Sequence, residues 1–316
     1  MSELVVAVDG LIKDYGTFRA VDHVSFSIKK GQVLGLLGPN GAGKSTTIQM
    51  LIGVTLPSEG TIRYFGKDFA KHRQACLQRL NYASAYNTLQ QHMTVKENLA
   101  VFAAMYGLKN PKDKIAELMD YFAVKRLEKQ MYRNLSAGER TRVNLVKALL
   151  NDPELVLMDE PTASLDPDIA DKTLGLVENL RRDRKLSILF TSHNMEEVTR
   201  LCDEVIFLDK GKIVSQDTPA NHMKRLDQAE VNLHFNGAAA KLDAISADQK
   251  GQATFGNTGQ ATFGNTGQAT IKISSKRIPA LLAAIHKAGL TVTDIDIRKP
   301  TLEDVFLDIA RKGRSL

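Results

Sequence analysis

The sequence predicts an α/β protein: a mostly parallel sheet flanked by helices, with an antiparallel β subdomain, a helical subdomain and a small C-terminal α+β domain. Three observations predict it. Apolar runs of buried-strand length, at 31–38, 155–158 and 186–190, alternate with amphipathic segments of helical period. That is the pattern of parallel strands covered on both faces. A glycine-rich stretch, Gly38-Pro39-Asn40-Gly41-Ala42-Gly43-Lys44-Ser45, stands between the first of these runs and a helix. The pattern then changes character near residue 226, which divides the chain into 1–226 and 227–316.

The elements follow in order. Residues 4–30 roughly alternate apolar and polar side chains, which fits half-buried strands. The run 31–38 ends on glycine and reads as a buried strand entering a tight turn, followed by a helix over 45–52. Residues 61–68 read as a strand and turn. The stretch 86–150 is largely helical. Thr94 stands three residues before Glu97, the spacing of a capping box, and apolar residues recur at helical spacing beyond it. Two further amphipathic helices cover 112–122 and 137–152. Strands at 155–158 and 186–190 bracket a helix over 168–183. Residues 204–208 and 212–215 form a closing pair around Asp209-Lys210-Gly211, a turn signal.

Beyond 226 the order is strand (231–235), helix (238–245), strand (269–274), helix (278–288), strand (291–297) and helix (301–311). An octapeptide, GQATFGNT at 251–258, recurs unchanged at 259–266, and GQAT follows at 267–270. Eight residues are too few for a solenoid unit. Its Gly and Asn-Thr suit turns and Ala-Thr-Phe suits a short strand, so the segment reads as a tandem duplication that lengthens a surface hairpin loop, with a functional β-repeat as the alternative.

Composition narrows the function classes. Hydrophobic residues make up 43% of the 316 and charged residues 25%, values of an ordinary globular chain. No run approaches the roughly 20 apolar residues that span a bilayer. The N-terminus has no basic start followed by an apolar run, so no export signal is expected. Cys76 and Cys202 form no ligand pattern and read as reduced, buried thiols of a cytoplasmic protein. The formal charge of +6 permits anionic partners. The basic residues are scattered, without the aromatic interleaving that stacks bases, so no nucleic-acid partner is expected.

Gly38 to Ser45 fits G-x-x-x-x-G-K-[ST] and makes the core a P-loop NTPase. The glycines let the backbone turn its N–H groups inward onto phosphate, and the following helix N-terminus adds a positive dipole. Gly38, Asn40, Gly41, Gly43, Lys44, Ser45 and Thr46 form the phosphate-binding set. Lys44 reaches the terminal phosphates, and the Ser45 hydroxyl binds Mg²⁺. Downstream, an apolar strand ends in Asp159-Glu160. Asp159 suits the Mg²⁺ shell and Glu160 suits polarising an attacking water.

Leu135-Ser136-Ala137-Gly138-Glu139 resembles the signature motif of ATP-binding-cassette (ABC) ATPases, with Ala137 in place of a usual glycine and Glu139 in place of the usual glutamine. Read alone, Ser136 is a helix N-cap. The resemblance implies that Ser136 and Gly138 grip a γ-phosphate. It further implies that Tyr15 stacks on adenine, that His193 contacts the γ-phosphate, and that Ser164-Leu165-Asp166 touches an opposite subunit. One departure stands out. The family normally has a glutamine where this chain has Ala85, and that glutamine helps hold Mg²⁺ and senses the membrane partner. Water is expected in its place. The resemblance is close over residues 4–226. In the C-terminal domain, 301–307 resembles the tail of ATPases that serve ABC-2-type exporters.

The expectation is therefore an ATPase that powers a membrane exporter, with ATP and Mg²⁺ as cofactors. One copy of each motif implies a head-to-tail pair, most simply a homodimer. A membrane permease is the implied partner, which would hold the chain on the cytoplasmic face of the membrane. The alternative is a soluble ABC ATPase acting on ribosomes or nucleic acid. Such proteins typically carry two cassettes, or coiled-coil or zinc insertions, and this chain has neither. A catalytically dead regulatory cassette would be expected to lack Lys44, Glu160 or His193.

Overall fold

The computed structural model describes residues 3–85, 88–163, 165–226, 229–236, 239–249, 252–255 and 266–314. The chain divides into two compact units, Met1–Pro219 with Ile309–Leu316, and Ala220–Asp308.

The first unit opens with two long antiparallel strands, β1 (Leu4–Tyr15) and β2 (Phe18–Lys29). Then come β3 (Val33–Leu37), α1 (Lys44–Leu51), β4 (Glu59–Tyr64), β5 (Lys67–Asp68), α2 (Arg73–Leu77) and β6 (Leu80–Ser84). The helical part holds α3 (Val95–Met105), α4 (Pro111–Tyr121) and α5 (Ala137–Leu149). The chain returns to alternation through β7 (Leu155–Asp159), α6 (Pro167–Arg184), β8 (Ser187–Thr191), α7 (Met195–Leu201), β9 (Glu204–Asp209) and β10 (Lys212–Asp217).

These strands make two sheets. One is antiparallel, in the order β2-β1-β4-β5. The other runs β10-β9-β3-β8-β7-β6, parallel except for β10. β3 is buried at every position, as a central parallel strand must be. One continuous core joins the two sheets. It includes Val8, Phe26, Ile62 and Tyr64 from the first sheet, Leu34, Leu157 and Ile206 from the second, and Ile48 and Leu51 of α1. The β9–β10 turn places Lys210 and Gly211 at φ 47 and 81, the left-handed values a two-residue hairpin requires.

Both capping boxes in the helical part are complete. Thr94 and Glu97 close the start of α3, and Ser136 and Glu139 close the start of α5. Each box satisfies two backbone donors that would otherwise have no partner.

After α8 (Pro219–Leu226) the second unit holds β11 (Ala229–Asn236), α9 (Ala239–Asp248), β12 (Gln252–Phe255), β13 (Thr266–Ile273), α10 (Ile278–Lys287), β14 (Thr291–Arg298) and the start of α11 (Leu302–Arg314), whose residues from Ile309 on belong to the first unit. The sheet order β12-β13-β11-β14 and the βαββαβ sequence make a split-βαβ, ferredoxin-like arrangement. Its core alternates along β11, with Val231, Leu233 and Phe235 facing Leu242, Leu281 and Ile285. The sequence pattern allowed a short strand at Ala-Thr-Phe but read the repeat as a hairpin loop. In the structure Gln252–Phe255 of the first repeat form β12 and the last GQAT lies within β13, paired Phe255 to Ala269. The intervening residues, 256–265, lie outside the described residues.

Candidate nucleotide site

The 38–46 segment lies between β3 and α1. Gly43 caps α1 in a left-handed conformation (φ 101), and no side chain caps the helix. A Cβ at Gly43 would stand 2.6 Å from the Ala20 carbonyl oxygen, so only glycine fits. The helix start therefore offers open N–H donors and a positive dipole end at the mouth of the loop. Asn40, Gly41 and Ser45 are exposed there, and Thr46 is half-buried. Lys44 folds back and donates to the Gly38 and Pro39 carbonyls at 2.6 and 3.1 Å. Burial pushes its ammonium below the ordinary lysine value, and the fields of Glu160 and Asp159 oppose that shift.

Adjacent parallel strands deliver the acidic side. β7 and β8 pair in register, with Asp159 opposite Thr191. The Thr191 hydroxyl donates to Asp159 Oδ1 at 2.7 Å and accepts from Glu160 N–H at 3.0 Å. From β6, the Tyr82 hydroxyl donates to Asp159 Oδ2 at 3.0 Å. Burial, with the Asp159 charge beside it, pushes the Tyr82 phenol up to about 12, while a bond from Ser84 opposes. The phenol thus stays a donor at neutral pH. Glu160 sits at φ 50, a left-handed conformation that costs a non-glycine residue roughly 1–2 kcal/mol. Its carboxylate meets His193 Nε2 at 2.6 Å, and His193 is 59% exposed.

The remaining candidates stand apart. Ser136 and Gly138 begin α5, and among the described residues no hydrogen bond joins either to the Lys44 loop. The Ser136 hydroxyl accepts from Glu139 N–H. Gly138 is buried, and a Cβ there would stand 2.5 Å from Ile169 Cγ2, so packing against α6 by itself requires glycine. Tyr15, 48% exposed, ends β1, with Lys13 Nζ 5.1 Å from its ring centroid. Asp166 is the exposed N-cap position of α6 and makes no capping side-chain bond. Leu165 is half-buried. Ser164, the other member of that expected loop, lies outside the described residues. Ala85 follows β6 in a turn and brings no polar side chain.

Sequence reasoning missed Tyr82 and Glu197. Glu197 is buried and accepts from both the Thr162 and Ser192 hydroxyls. A tyrosine in a strand and an acid in the first turn of a short helix carry no local sign of such roles.

The ABC transporter family model matches residues 21–163. A Nod factor export ATP-binding protein I of Ralstonia nicotianae is 37% identical over 68% of this chain and 67% of its own length. The linearmycin resistance ATP-binding protein LnrL of Bacillus subtilis is 32% identical over 99% of each chain. This chain belongs to the ABC transporter family, as an ATP-binding subunit. Among solved structures, the ATP-binding subunit of an ABC transporter superposes with a TM-score of 0.64 at 26% identity, over 70% of this chain and 93% of that one. A dimeric cassette, MJ0796 bound to ADP and Pi, gives 0.60 at 21% identity over 67% and 98%, a likeness of fold. The ABC chain described here is thus an ATPase with an ATP-binding P-loop cassette. Among its described residues no helix is long and apolar enough to cross a membrane.

Proposed function

We propose that this ABC subunit is the motor of an exporter. It closes head-to-tail on a second cassette, most simply its own copy, with ATP between them, and hydrolysis lets the pair part. A membrane permease converts that motion into transport and holds the chain at the cytoplasmic face of the membrane. Residues 227–316 act as an accessory domain.

The observation that carries the reading is the Glu160–His193 pair, 2.6 Å apart, whose Glu160 charge acts on Lys44. In this reading the N–H groups of the Gly38–Thr46 loop and the α1 start receive the phosphates. Lys44 leaves its two carbonyls for the terminal phosphates, Glu160 takes the proton of the attacking water, and His193 orients Glu160 and the γ-phosphate. Tyr15 offers its exposed ring to adenine. Ser136, Gly138 and Asp166 act on the nucleotide of the opposite copy. Among the described residues they share no hydrogen bonds with the Lys44 loop of their own chain, which suits that division.

The donor set fits Mg²⁺. A hydroxyl at Ser45 and a carboxylate at Asp159 are hard oxygen ligands, and Mg²⁺ in phosphate sites uses one or two carboxylates with phosphate and water. Asp159 accepts one hydroxyl on each oxygen and keeps lone pairs free on both. Bound there, the ion would neutralise charge on the phosphates.

Export is supported by relatives described as Nod factor export and bacitracin transport ATP-binding proteins. The test is steady-state ATPase activity of the purified chain with Mg²⁺ and with excess chelator. Activity that needs Mg²⁺ and rises more than linearly with protein concentration supports the paired motor. Activity strictly proportional to protein concentration, with a monomeric mass in ATP, would count against it.

A further inference from the structure

Glu197 stands on the first turn of α7 and is 6% exposed. A carboxylate at that depth must be hydrogen-bonded or it costs several kcal/mol. Its Oε2 accepts two hydroxyls, Thr162 Oγ1 at 2.7 Å and Ser192 Oγ at 2.7 Å. Both partners are buried as well, at 7% and 8% exposure. They come from different loops. Thr162 follows Glu160 closely on the segment that runs to Asp166, and Ser192 immediately precedes His193. Ser192 Oγ also accepts from Asn194 N–H at 3.0 Å, so its single proton is committed to Glu197.

At the strand ends, Thr191 already ties Asp159 to Glu160. Past the strand ends, where regular pairing stops, Glu197 adds a buried tie beneath the more exposed Glu160–His193 contact. Hydrogen bonds to a charged acceptor are shorter and stronger than neutral ones. Two of them on one oxygen fix the Thr162 and Ser192 hydroxyls at once.

We propose that Glu197 is a positioning residue for ATP hydrolysis: a buried carboxylate staple between the Glu160–Asp166 loop and the His193 loop, so that the two shift as one body. The proposal rests on the ATPase reading above. Glu197 makes no hydrogen bond to Glu160 or His193 among the described residues, and acts through Thr162 and Ser192. It would carry displacement of Asp166, placed toward the opposite copy in that reading, to the Glu160–His193 pair.

The test uses the full chain as wild type, Glu197→Ala, Glu197→Gln and Thr162→Val. Amide hydrogen exchange without nucleotide is read beside ATPase kinetics. Glu197→Ala should speed exchange about tenfold in both 160–166 and 191–195, from loss of charge-assisted bonds. It should lower kcat by about 100-fold, the scale of a small misplacement of reacting groups, with KM for ATP little changed. Glu197→Gln keeps an acceptor oxygen of the same reach and should restore both readouts to within a few-fold. Thr162→Val should loosen 160–166 alone.

Loosening of one loop only in Glu197→Ala, or unchanged kcat despite loosened loops, would overturn the staple. So would a general rise in exchange across the sheet with kcat and KM intact, which marks a merely structural residue. If Glu197→Ala does not fold, Thr162→Val and Ser192→Ala decide instead. The staple requires their double variant to lose no more kcat than the worse single, and full additivity overturns it. A wild-type chain without ATPase activity would remove the proposed function. The exchange data would then still decide whether Glu197 ties the loops.

Discussion

His193 Nε2 lies 2.6 Å from Glu160 Oε1, and the two side chains project from the ends of neighbouring parallel strands, β8 and β7. The contact is held from beneath. Thr191 binds Glu160 N–H and Asp159 together, and Glu160 adopts a left-handed backbone to point its carboxylate at the histidine. A non-glycine residue keeps that conformation only where its surroundings impose it.

Replacing Glu160 by glutamine removes a proton acceptor while keeping size and hydrogen-bonding reach. The expected result is a kcat lower by about 10²–10⁴-fold, the usual worth of a general base, with ATP affinity retained. Because the phosphate grip survives, Glu160→Gln with ATP should elute from size exclusion as a stable dimer. A monomer under those conditions would argue against a shared site.

Lys44 carries a different burden. Its ammonium is partly desolvated and donates to the Gly38 and Pro39 carbonyls, so it is poised to exchange those partners for phosphate oxygens. Lys44→Ala should weaken ATP binding by about 10- to 100-fold, the loss of one charge-assisted hydrogen bond or more. Calorimetric titration measures this directly. An unchanged Kd would displace the phosphate site from this loop.

Gly138 has a packing role that can be separated from any phosphate role. An added methyl would meet Ile169 Cγ2 at 2.5 Å. Gly138→Ala should therefore destabilise the chain by about 1–3 kcal/mol through overpacking of α5 against α6. Gly138→Ala with Ile169→Leu, which has no methyl on Cβ and so lacks the clashing Cγ2, should recover most of that stability in urea unfolding. ATPase activity that stays low in the double variant would then report a role of the Gly138 backbone beyond packing.

How much of this was legible follows from where each signal resides. Strand β3, the Gly38–Ser45 turn and α1 are contiguous, and a contiguous segment declares itself by pattern. The Thr94–Glu97 box and the Ser136 cap are likewise local, three-residue relationships. β12 was half legible: Ala-Thr-Phe suits a short strand, but Gly and Asn-Thr around it read as turns, and its place in the sheet comes only from pairing with β13. Tyr82 and Glu197 were hidden for the same reason at the level of side chains. Their meaning lies in contacts with Asp159, Thr162 and Ser192, which arrive from other segments only when the sheet assembles. The packing demand on Gly138 comes from Ile169 across a helix pair, so the motif spacing alone gave only its phosphate reading.

Asp22 offers a test by pH. It lies at the start of the segment that backs the nucleotide loop: its N–H donates to Gly211 O, and the neighbouring Ala20 carbonyl abuts Gly43. Hydrogen bonds from His23 at 2.7 Å and Lys212 at 3.2 Å, then Arg19 at 3.2 Å, hold its carboxyl down to about 2 from an ordinary 3.8. The sign follows from linkage. A carboxyl whose pKa is lower in the folded state stabilises the fold above its unfolded pKa, and that contribution is lost as pH falls toward the folded value. The stability difference between wild type and Asp22→Asn should thus be constant above about pH 5 and shrink below about pH 4, as the unfolded chain alone takes up the proton. Urea midpoints at a few pH values measure it. A difference that stays constant down to about pH 3 would mean that the cations around Asp22 do not hold its charge in the folded chain.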